Sequence, residues 1–150
     1  MTKKFDTVYA PGVWDLFHVG HANVLRRAKR IGGTLIVGVD TDESVKEKKG
    51  RYPVIPEYQR YGVIQAIRWV DKIVLNKNCS VDVEKLKDWG VNAVVLGRDE
   101  DWDWNDLAGY KEAKDAGIEF IRIPYTQSIS TTLIKMQIRE DRTALEEIRT

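Results

Sequence analysis

The chain has 150 residues, with 24 Lys or Arg against 23 Asp or Glu, so its formal net charge is +1. This length suits one domain over residues 1–150, and the near-neutral charge argues against recruitment of nucleic acid or a membrane surface by a global field. The single cysteine, Cys79, excludes a disulfide within the chain, and since no long apolar run is present we expect a cytoplasmic protein without membrane insertion.

Short apolar runs alternate along the chain with segments of helical periodicity. This alternation is typical of a parallel sheet with crossover helices, so we predict an α/β protein with a doubly wound five-stranded parallel sheet. Its ligand is expected beyond the carboxyl ends of the strands, where the strand order reverses. The predicted strands are residues 7–10, 34–39, 72–75, 92–96 and 118–123, and the predicted helices are 22–31, 57–70, 83–89, 107–113 and 131–140.

The segment that follows the first strand, residues 12–21, reads GVWDLFHVGH and leads into a helix. Gly12 permits close approach of a ligand to the backbone, and Gly20 permits a tight turn before the free amides of the helix. His18 and His21 can then donate hydrogen bonds to a phosphate on which negative charge develops. The alternatives for the two imidazoles are a metal site or simple capping of the helix.

A cationic segment, residues 44–51, follows the second strand and is expected to be a loop over the same strand ends. It carries Lys46, Lys48, Lys49 and Arg51 against one acid, Glu47. A lysine that closes over a triphosphate supplies a compact charge. The alternative is a solvated surface loop.

An acidic and aromatic segment, residues 97–106, follows the fourth strand. Trp102 and Trp104 can form a wall for an acceptor molecule and attract a cationic head group, or they can fold back onto the protein surface. Asp99 is the acid expected to take part in binding.

Hydroxyl side chains open the last predicted helix. Ser130, Thr131 and Thr132 follow the fifth strand and can either bind an anion or cap the helix.

Two of these segments carry a resemblance to a known family. Residues 12–21 resemble the GxFDxxHxGH signature of the cytidylyltransferase family, which includes the glycerol-3-phosphate, phosphocholine and phosphoethanolamine cytidylyltransferases. Residues 129–132, ISTT, resemble the family's RTxGISTT signature, and similarity extends over nearly the whole chain. The departures are Trp14 for Phe or Tyr, Tyr125 for Arg and Ser128 for Gly.

The resemblance implies a Rossmann-like nucleotidylyltransferase fold and a role for particular residues. His18 and His21 are implied as catalytic residues together with a lysine, for which Lys49 is the best match and Lys46 and Lys48 are further candidates. Since Tyr125 replaces a phosphate-binding Arg, we expect Arg51, Arg98 or Arg122 to supply the lost charge. The implied nucleotide-binding residues are Gly12, Val13, Trp14, Asp15, Gly20, Asp99, Tyr125, Thr126, Ile129, Ser130, Thr131 and Thr132.

The implied activity is transfer of CMP from CTP to a phosphorylated small molecule with release of pyrophosphate. Mg²⁺ is expected on the triphosphate with few protein ligands, of which Asp15 is a candidate. Residues 68–71, RWVD, resemble a segment near the dimer interface of relatives, which implies a homodimer. The alternatives are an adenylyltransferase that uses ATP and a sugar phosphate or related acceptor, and a nucleotide-binding module without catalysis.

Overall fold

The computed structural model describes residues 3–127 and 129–149, with side chains as far as residue 140, so Ser128 lies outside the described residues. Five strands alternate with helices along this chain. The strands are β1 (Phe5–Gly12), β2 (Gly32–Asp40), β3 (Lys72–Asn76), β4 (Ala93–Gly97) and β5 (Glu119–Ile123). The helices are α1 (Val19–Ile31), α2 (Asp42–Lys49), α3 (Glu57–Gln65), α4 (Val83–Asp88), α5 (Tyr110–Asp115) and α6 (Thr131–Arg149), with a 3-10 turn at Trp104–Asp106.

The strands form one parallel sheet in the order β3-β2-β1-β4-β5. The chain builds outward from β1 to β3, then crosses back to place β4 on the other side of β1. The strand order therefore reverses between β1 and β4, which is where a doubly wound sheet leaves a crevice at its carboxyl edge. The predicted fold class is confirmed.

Both faces of the sheet are buried, which explains the nearly continuous apolar runs in the central strands. Successive side chains of β1 point to opposite faces, with Val8 and Ala10 in one core and Tyr9 in the other. The first core includes Leu25 of α1, and the second includes Leu86 of α4. The sheet is thus fixed from both sides, and its carboxyl edge is a rigid base for loops.

The cationic segment is helical as far as Lys49, so the prediction of a loop there was wrong. The Thr41 side chain caps α2 by accepting a hydrogen bond from the Ser44 amide at 3.3 Å, and Gly50 ends the helix with a φ of 78°. Two of the three acids of α2, Asp42 and Glu43, are in its first turn and its lysines are in its last turn, which suits the helix dipole. The sequence prediction missed this helix because it relied on the periodicity of apolar residues, and most residues of α2 are charged.

Other helix boundaries also differ from the prediction, most of all at the ends of two helices. Helix α3 ends at Gln65 rather than near residue 70, and α6 continues to Arg149 rather than ending near residue 140. After α3 the Ile67 amide donates to the Ile64 carbonyl at 3.0 Å, a tighter turn than an α-helix makes. Among the described residues, no helix combines the length and the apolarity that crossing a bilayer requires.

Candidate active site

A cavity of about 590 Å³ opens at the carboxyl edge of the sheet, beside the ends of β1, β2 and β4. It lies at the reversal of strand order, where a ligand was expected. Every residue predicted for the site lines this cavity except Lys46. The predicted residues that line it are Gly12, Val13, Trp14, Asp15, His18, Gly20, His21, Lys48, Lys49, Asp99, Tyr125, Thr126, Ile129, Ser130, Thr131 and Thr132.

The turn after β1 has an unusual backbone. Trp14 and Leu16 have φ values of 60° and 49°, in the left-handed region that most side chains avoid. The Trp14 indole crosses back over β1 and donates from Nε1 to the Gly38 carbonyl of β2 at 2.9 Å. A Cβ atom at Gly12 would lie 2.8 Å from the indole. Glycine is therefore required at position 12 for the indole to pack there, and the packed indole fixes the turn.

The two histidines cap α1 through their δ nitrogens. The Gly20 amide donates to His18 Nδ1 at 3.0 Å, and the His18 amide donates to His21 Nδ1 at 3.2 Å. The rings stack with their centroids 3.8 Å apart. Because each Nδ1 accepts a hydrogen bond from an N–H group, each neutral imidazole carries its proton on Nε2. Capping and ligand binding are thus compatible, because Nδ1 of each ring accepts a hydrogen bond at the start of α1 and Nε2–H is left to donate to a ligand.

Burial favours the uncharged form of both rings. Burial, which is the largest cause, and nearby His18 lower the pKa of His21 and Asp15 opposes them, with a net pKa of about 4. Burial also lowers the pKa of His18. At neutral pH the pair therefore presents two uncharged N–H donors rather than two cations.

Acid is expected to destabilise the fold through His21. Between its ordinary pKa of 6.5 and the folded value of about 4, the unfolded imidazole binds a proton that the folded one does not. Stability therefore falls as the pH drops from 7 to 5, by on the order of 2 kcal/mol. Urea unfolding at both pH values measures this loss. In a His21→Gln variant the free energy of unfolding should fall clearly less between the two pH values. An equal fall in the parent and the variant would contradict the low pKa of His21.

Asp15 holds two neighbouring segments against the turn. Its carboxylate accepts the Val54 and Ile55 amides at 2.8 and 2.9 Å, and its carbonyl accepts the Thr131 hydroxyl at 3.0 Å.

The Ser130 hydroxyl oxygen accepts the amide of residue 133 at 3.1 Å, so capping of α6 is present as well. Among the described residues there is no group of three or more His, Cys, Asp or Glu suited to a metal ion.

Positive charge reaches the cavity from three elements. Lys48, Lys49 and Arg51 come from the end of α2, Arg98 follows β4, and Lys135 comes from α6. Burial lowers the pKa of Lys49, the charges of Arg98 and Lys135 lower it further, and Asp40 opposes the shift. Lys135 lies 3.9 Å from Asp15, one helical turn beyond Thr131, and was not predicted from the sequence.

Among the predicted catalytic and nucleotide-binding residues, Lys46 is the one that the structure places outside the cavity lining. Its ammonium donates to the Gly50 carbonyl at 2.9 Å and lies 5.4 Å from the centre of the Tyr52 ring. A lysine in the last turn of a helix commonly binds the free carbonyls there. Lys46 thus completes the end of α2 and does not line the cavity.

Tyr125 lines the cavity but carries no positive charge. The three arginines expected to supply that charge lie in different places. Arg51 and Arg98 line the cavity. Arg122 does not: its guanidinium donates to the carbonyls of Glu100 and Trp102 and so fixes the loop after β4.

The two tryptophans of that loop have separate roles. Trp102 lines the cavity, with the guanidinium carbon of Arg98 5.0 Å from its ring centre. Trp104 packs against Tyr110 and Phe120 and belongs to the core beneath the loop. Trp104 is thus folded back onto the protein, whereas Trp102 is placed where an acceptor wall was predicted.

A buried arginine that the sequence analysis missed connects the parts of the site. Arg60 is 1% exposed, and its guanidinium donates to the carbonyls of Val13 and Asp40 at 2.7 Å and of Ile55 at 2.8 Å. It also forms an ion pair with Asp42 at 2.7 Å. The turn after β1, the end of β2 and the start of α2 are thereby held together. An arginine four residues before a buried isoleucine, in an otherwise apolar helix face, is the signal that was available.

Comparison with known proteins gives one family match and several relatives. A family model described as cytidylyltransferase-like matches residues 9–137. An FAD synthase from Pyrococcus horikoshii is 39% identical over 118 residues, which cover 79% of this chain and 80% of the relative. An ethanolamine-phosphate cytidylyltransferase from Mus musculus is 38% identical over 125 residues, which cover 83% of this chain and 30% of that protein.

A solved structure shares the fold. The lipopolysaccharide core biosynthesis protein from Thermoplasma volcanium GSS1 aligns with a TM-score of 0.66 and 27% identity. The alignment covers 81% of this chain and 98% of that one.

Proposed function

Because the chain belongs to the cytidylyltransferase-like family of nucleotidyltransferases, we propose that it transfers CMP from CTP to a phosphorylated small molecule and releases pyrophosphate. The observation that carries this proposal is the convergence of two neutral imidazole donors, Lys49 and the first turn of α6 on one cavity. These are groups that bind phosphate and stabilise charge on it.

The reaction follows from this arrangement. An oxygen of the acceptor phosphate attacks the α-phosphorus of the nucleotide, a new P–O bond forms, and the bond to the bridging oxygen breaks as pyrophosphate leaves on the opposite side. A phosphate monoester is already a competent nucleophile at neutral pH, so the protein needs no strong base. Its tasks are alignment and stabilisation of charge.

Each side chain has a part in that step. The Nε2–H groups of His18 and His21 donate to the α-phosphate and to the bridging oxygen as charge grows there. Lys49 contacts both substrates, while Arg98 and Lys135 supply charge that Tyr125 lacks. Being uncharged, the imidazoles retain their donors without repelling these cations.

Magnesium fits this site as an ion held mainly by the triphosphate. Both carboxylate oxygens of Asp15 already accept backbone amides, which leaves the protein few free ligands for a cation in the described part of the chain. When bound, Mg²⁺ would neutralise charge on the triphosphate oxygens.

A second candidate is transfer of AMP from ATP. Three FAD synthases match this chain over 80 to 85% of their own length, and FAD contains an adenylyl group joined to a flavin phosphate. These relatives support ATP with a flavin phosphate as the second candidate pair of substrates, and ATP with a sugar phosphate or related acceptor is a variant of it. A nucleotide-binding module without catalysis is the third candidate, because Tyr125 stands where the family has an arginine.

Pyrophosphate release with paired substrates tests these candidates. CTP and ATP would each be combined with ethanolamine phosphate, glycerol phosphate, phosphocholine, a sugar phosphate and flavin mononucleotide, and products would be identified by mass. We expect turnover with CTP. Turnover with ATP alone would favour the second candidate, and tight binding of CTP without turnover on any acceptor would favour the third.

Assembly and location are part of the same proposal. We propose a cytoplasmic homodimer, on the resemblance of residues 68–71 to a segment near the dimer interface of relatives. Light scattering of the purified protein would give its mass in solution, and a monomer at micromolar concentration would contradict the dimer.

A further inference from the structure

The loop after β4 places an arginine in the cavity wall and beside the end of β5. Gly97 pairs with Ile123 in the sheet, and the Arg98 amide donates to the Ile123 carbonyl at 3.1 Å. Arg98 is therefore one residue short of being level with Tyr125, on a strand that lies about 4.8 Å away. Both residues line the cavity, and Tyr125 brings no charge to it. A cation at position 98 thus serves the same part of the wall as a cation at position 125 would.

The Arg98 guanidinium keeps most of its hydrogen-bond donors available. A guanidinium has several N–H groups, and among the described residues its hydrogen bonds are limited to one, from Nη1 to the Gly97 carbonyl at 2.9 Å. No carboxylate in that part of the chain lies within 4.0 Å of it. The first turn of α6 borders the same cavity and offers free amides to an anion. Arg98 can therefore bind a phosphate there without first giving up an ion pair.

The Trp102 indole supports this guanidinium from one side. The guanidinium carbon of Arg98 lies 5.0 Å from the ring centre, which is within the range of a cation–π contact. An arginine side chain has many rotamers, and restricting them when a ligand binds costs conformational entropy. An aromatic face that already holds the guanidinium removes part of that cost before the anion arrives. Among aromatic side chains, tryptophan attracts a cation most strongly.

Trp102 is itself fixed by contacts that lead back into the core. Its carbonyl accepts Arg122 Nη2 at 2.8 Å, and its amide donates to the Asp99 carbonyl at 3.2 Å. Its ring meets the Trp104 ring edge to face, with the ring centres 5.2 Å apart. Trp104 in turn stacks on Tyr110 in the core beneath the loop. The indole is therefore held by both its backbone and its ring, as a rigid support has to be.

We propose that Trp102 is a positioning residue, whose indole face holds Arg98 in the orientation that binds a phosphate of the nucleotide. This inference rests on the proposed function. It assigns to Arg98, rather than to the exposed Arg51, the charge that Tyr125 does not supply. Since a guanidinium already covers the indole, Trp102 acts through Arg98 and does not form a wall for the acceptor.

Binding of inorganic pyrophosphate tests the pair without turnover. Calorimetry compares wild type, Arg98→Ala, Trp102→Leu and the double variant. Arg98→Ala should weaken binding by about 30-fold, because a charged donor is lost, and Trp102→Leu by about 10-fold. If the indole acts through the guanidinium, the double variant should bind within about twofold of Arg98→Ala. A further loss of about tenfold in the double variant, or a wild type that binds no pyrophosphate at millimolar concentration, would overturn the inference.

The Trp102→Phe variant separates positioning from folding. Phenylalanine keeps an aromatic face but attracts a cation less strongly, so its affinity for pyrophosphate should lie between those of wild type and Trp102→Leu. Pyrophosphate should also change the tryptophan fluorescence of wild type more than that of Trp102→Phe, because the indole beside the bound anion is absent from the variant. Melting temperatures report folding, and Trp102→Phe replaces Trp102→Leu in the double variant if the latter does not fold. Equal fluorescence changes in both proteins would contradict the positioning role.

Lys114→Ala is the matched control for loss of a cation over an aromatic ring. The Lys114 ammonium lies 5.6 Å from the centre of the Tyr110 ring, on α5 and outside the cavity lining. This variant should bind pyrophosphate within about twofold of wild type. A loss as large as that of Trp102→Leu would show that such contacts act through stability, which would overturn the inference.

A guanidinium introduced at the end of β5 should replace the one removed after β4. Tyr125→Arg is expected to restore about tenfold of the pyrophosphate affinity that Arg98→Ala loses, and to gain clearly less in a protein that keeps Arg98. Equal gains in both backgrounds would mean that the two positions bind separately, and would contradict the assignment of this charge to Arg98.

Turnover distinguishes failure of this inference from failure of the proposed function. If pyrophosphate affinity depends on Arg98 and Trp102 as expected but no pair of nucleotide and acceptor reacts, the positioning role stands and the catalytic proposal fails. In a working enzyme, Trp102→Leu should raise KM for the nucleotide by about tenfold and lower kcat by less. Turnover with an unchanged KM in this variant would support catalysis and contradict the positioning role.

Discussion

Replacing His18 or His21 by alanine is expected to lower kcat by about 10²-fold or more, the usual effect of removing one preorganised donor to a developing charge. Both imidazoles are fixed by backbone amides at Nδ1, so their Nε2–H groups need no reorganisation during the reaction. The measurement is steady-state pyrophosphate release with saturating substrates. A double variant should lose less than the product of the single losses, because the stacked rings act as a unit.

Loss of a helix cap must be separated from loss of a donor. His18→Asn restores a side chain that caps α1 well, but it does not reproduce the Nε2–H donor. We therefore expect this variant to be more stable than His18→Ala and nearly as slow. Recovery of the parental rate in His18→Asn would mean that the imidazole serves only the helix.

Replacing Lys49 by alanine is expected to lower kcat/KM by about 10²-fold, because a partly buried ammonium beside both substrates would be lost. Lys46→Ala is the matched control on the same helix. Its ammonium is held by the Gly50 carbonyl, and the rate should stay within about threefold of the parent. Initial rates of each variant over a range of nucleotide and acceptor concentrations give its kcat/KM for comparison with the parent. Equal losses in the two variants would show that the lysines act through general charge and not through position.

The fold and most of the site follow from simple features of the sequence. Apolar runs separated by helical segments predict the sheet, and the rule for its carboxyl edge brings together the ends of β1, β2 and β4. The turn after β1 and the hydroxyl segment before α6 meet because both follow strands that end at this edge. His18 and Ile129 are 111 residues apart in the chain. Their functional roles stay predictions until the variants are measured.

What the sequence analysis missed depends on side-chain hydrogen bonds rather than on periodicity. The buried side chains of α3 are Arg60 and Ile64. An arginine can occupy a buried position when carbonyls and a carboxylate surround its guanidinium, but an apolar pattern counts it as a surface residue. Lys46 was misplaced for a related reason, since the nearest acceptor for its ammonium is the carbonyl that ends its own helix.

The hydrogen bond from Thr131 to the Asp15 carbonyl joins residues 116 positions apart in the chain. During synthesis on the ribosome, all five strands therefore emerge before the segment that closes this contact. The sheet can assemble first, and the wall formed by Ser130, Thr131 and Lys135 is added only after β5 has been made. A chain truncated after β5 would accordingly keep the strands of the sheet but lack the wall that α6 adds to the cavity.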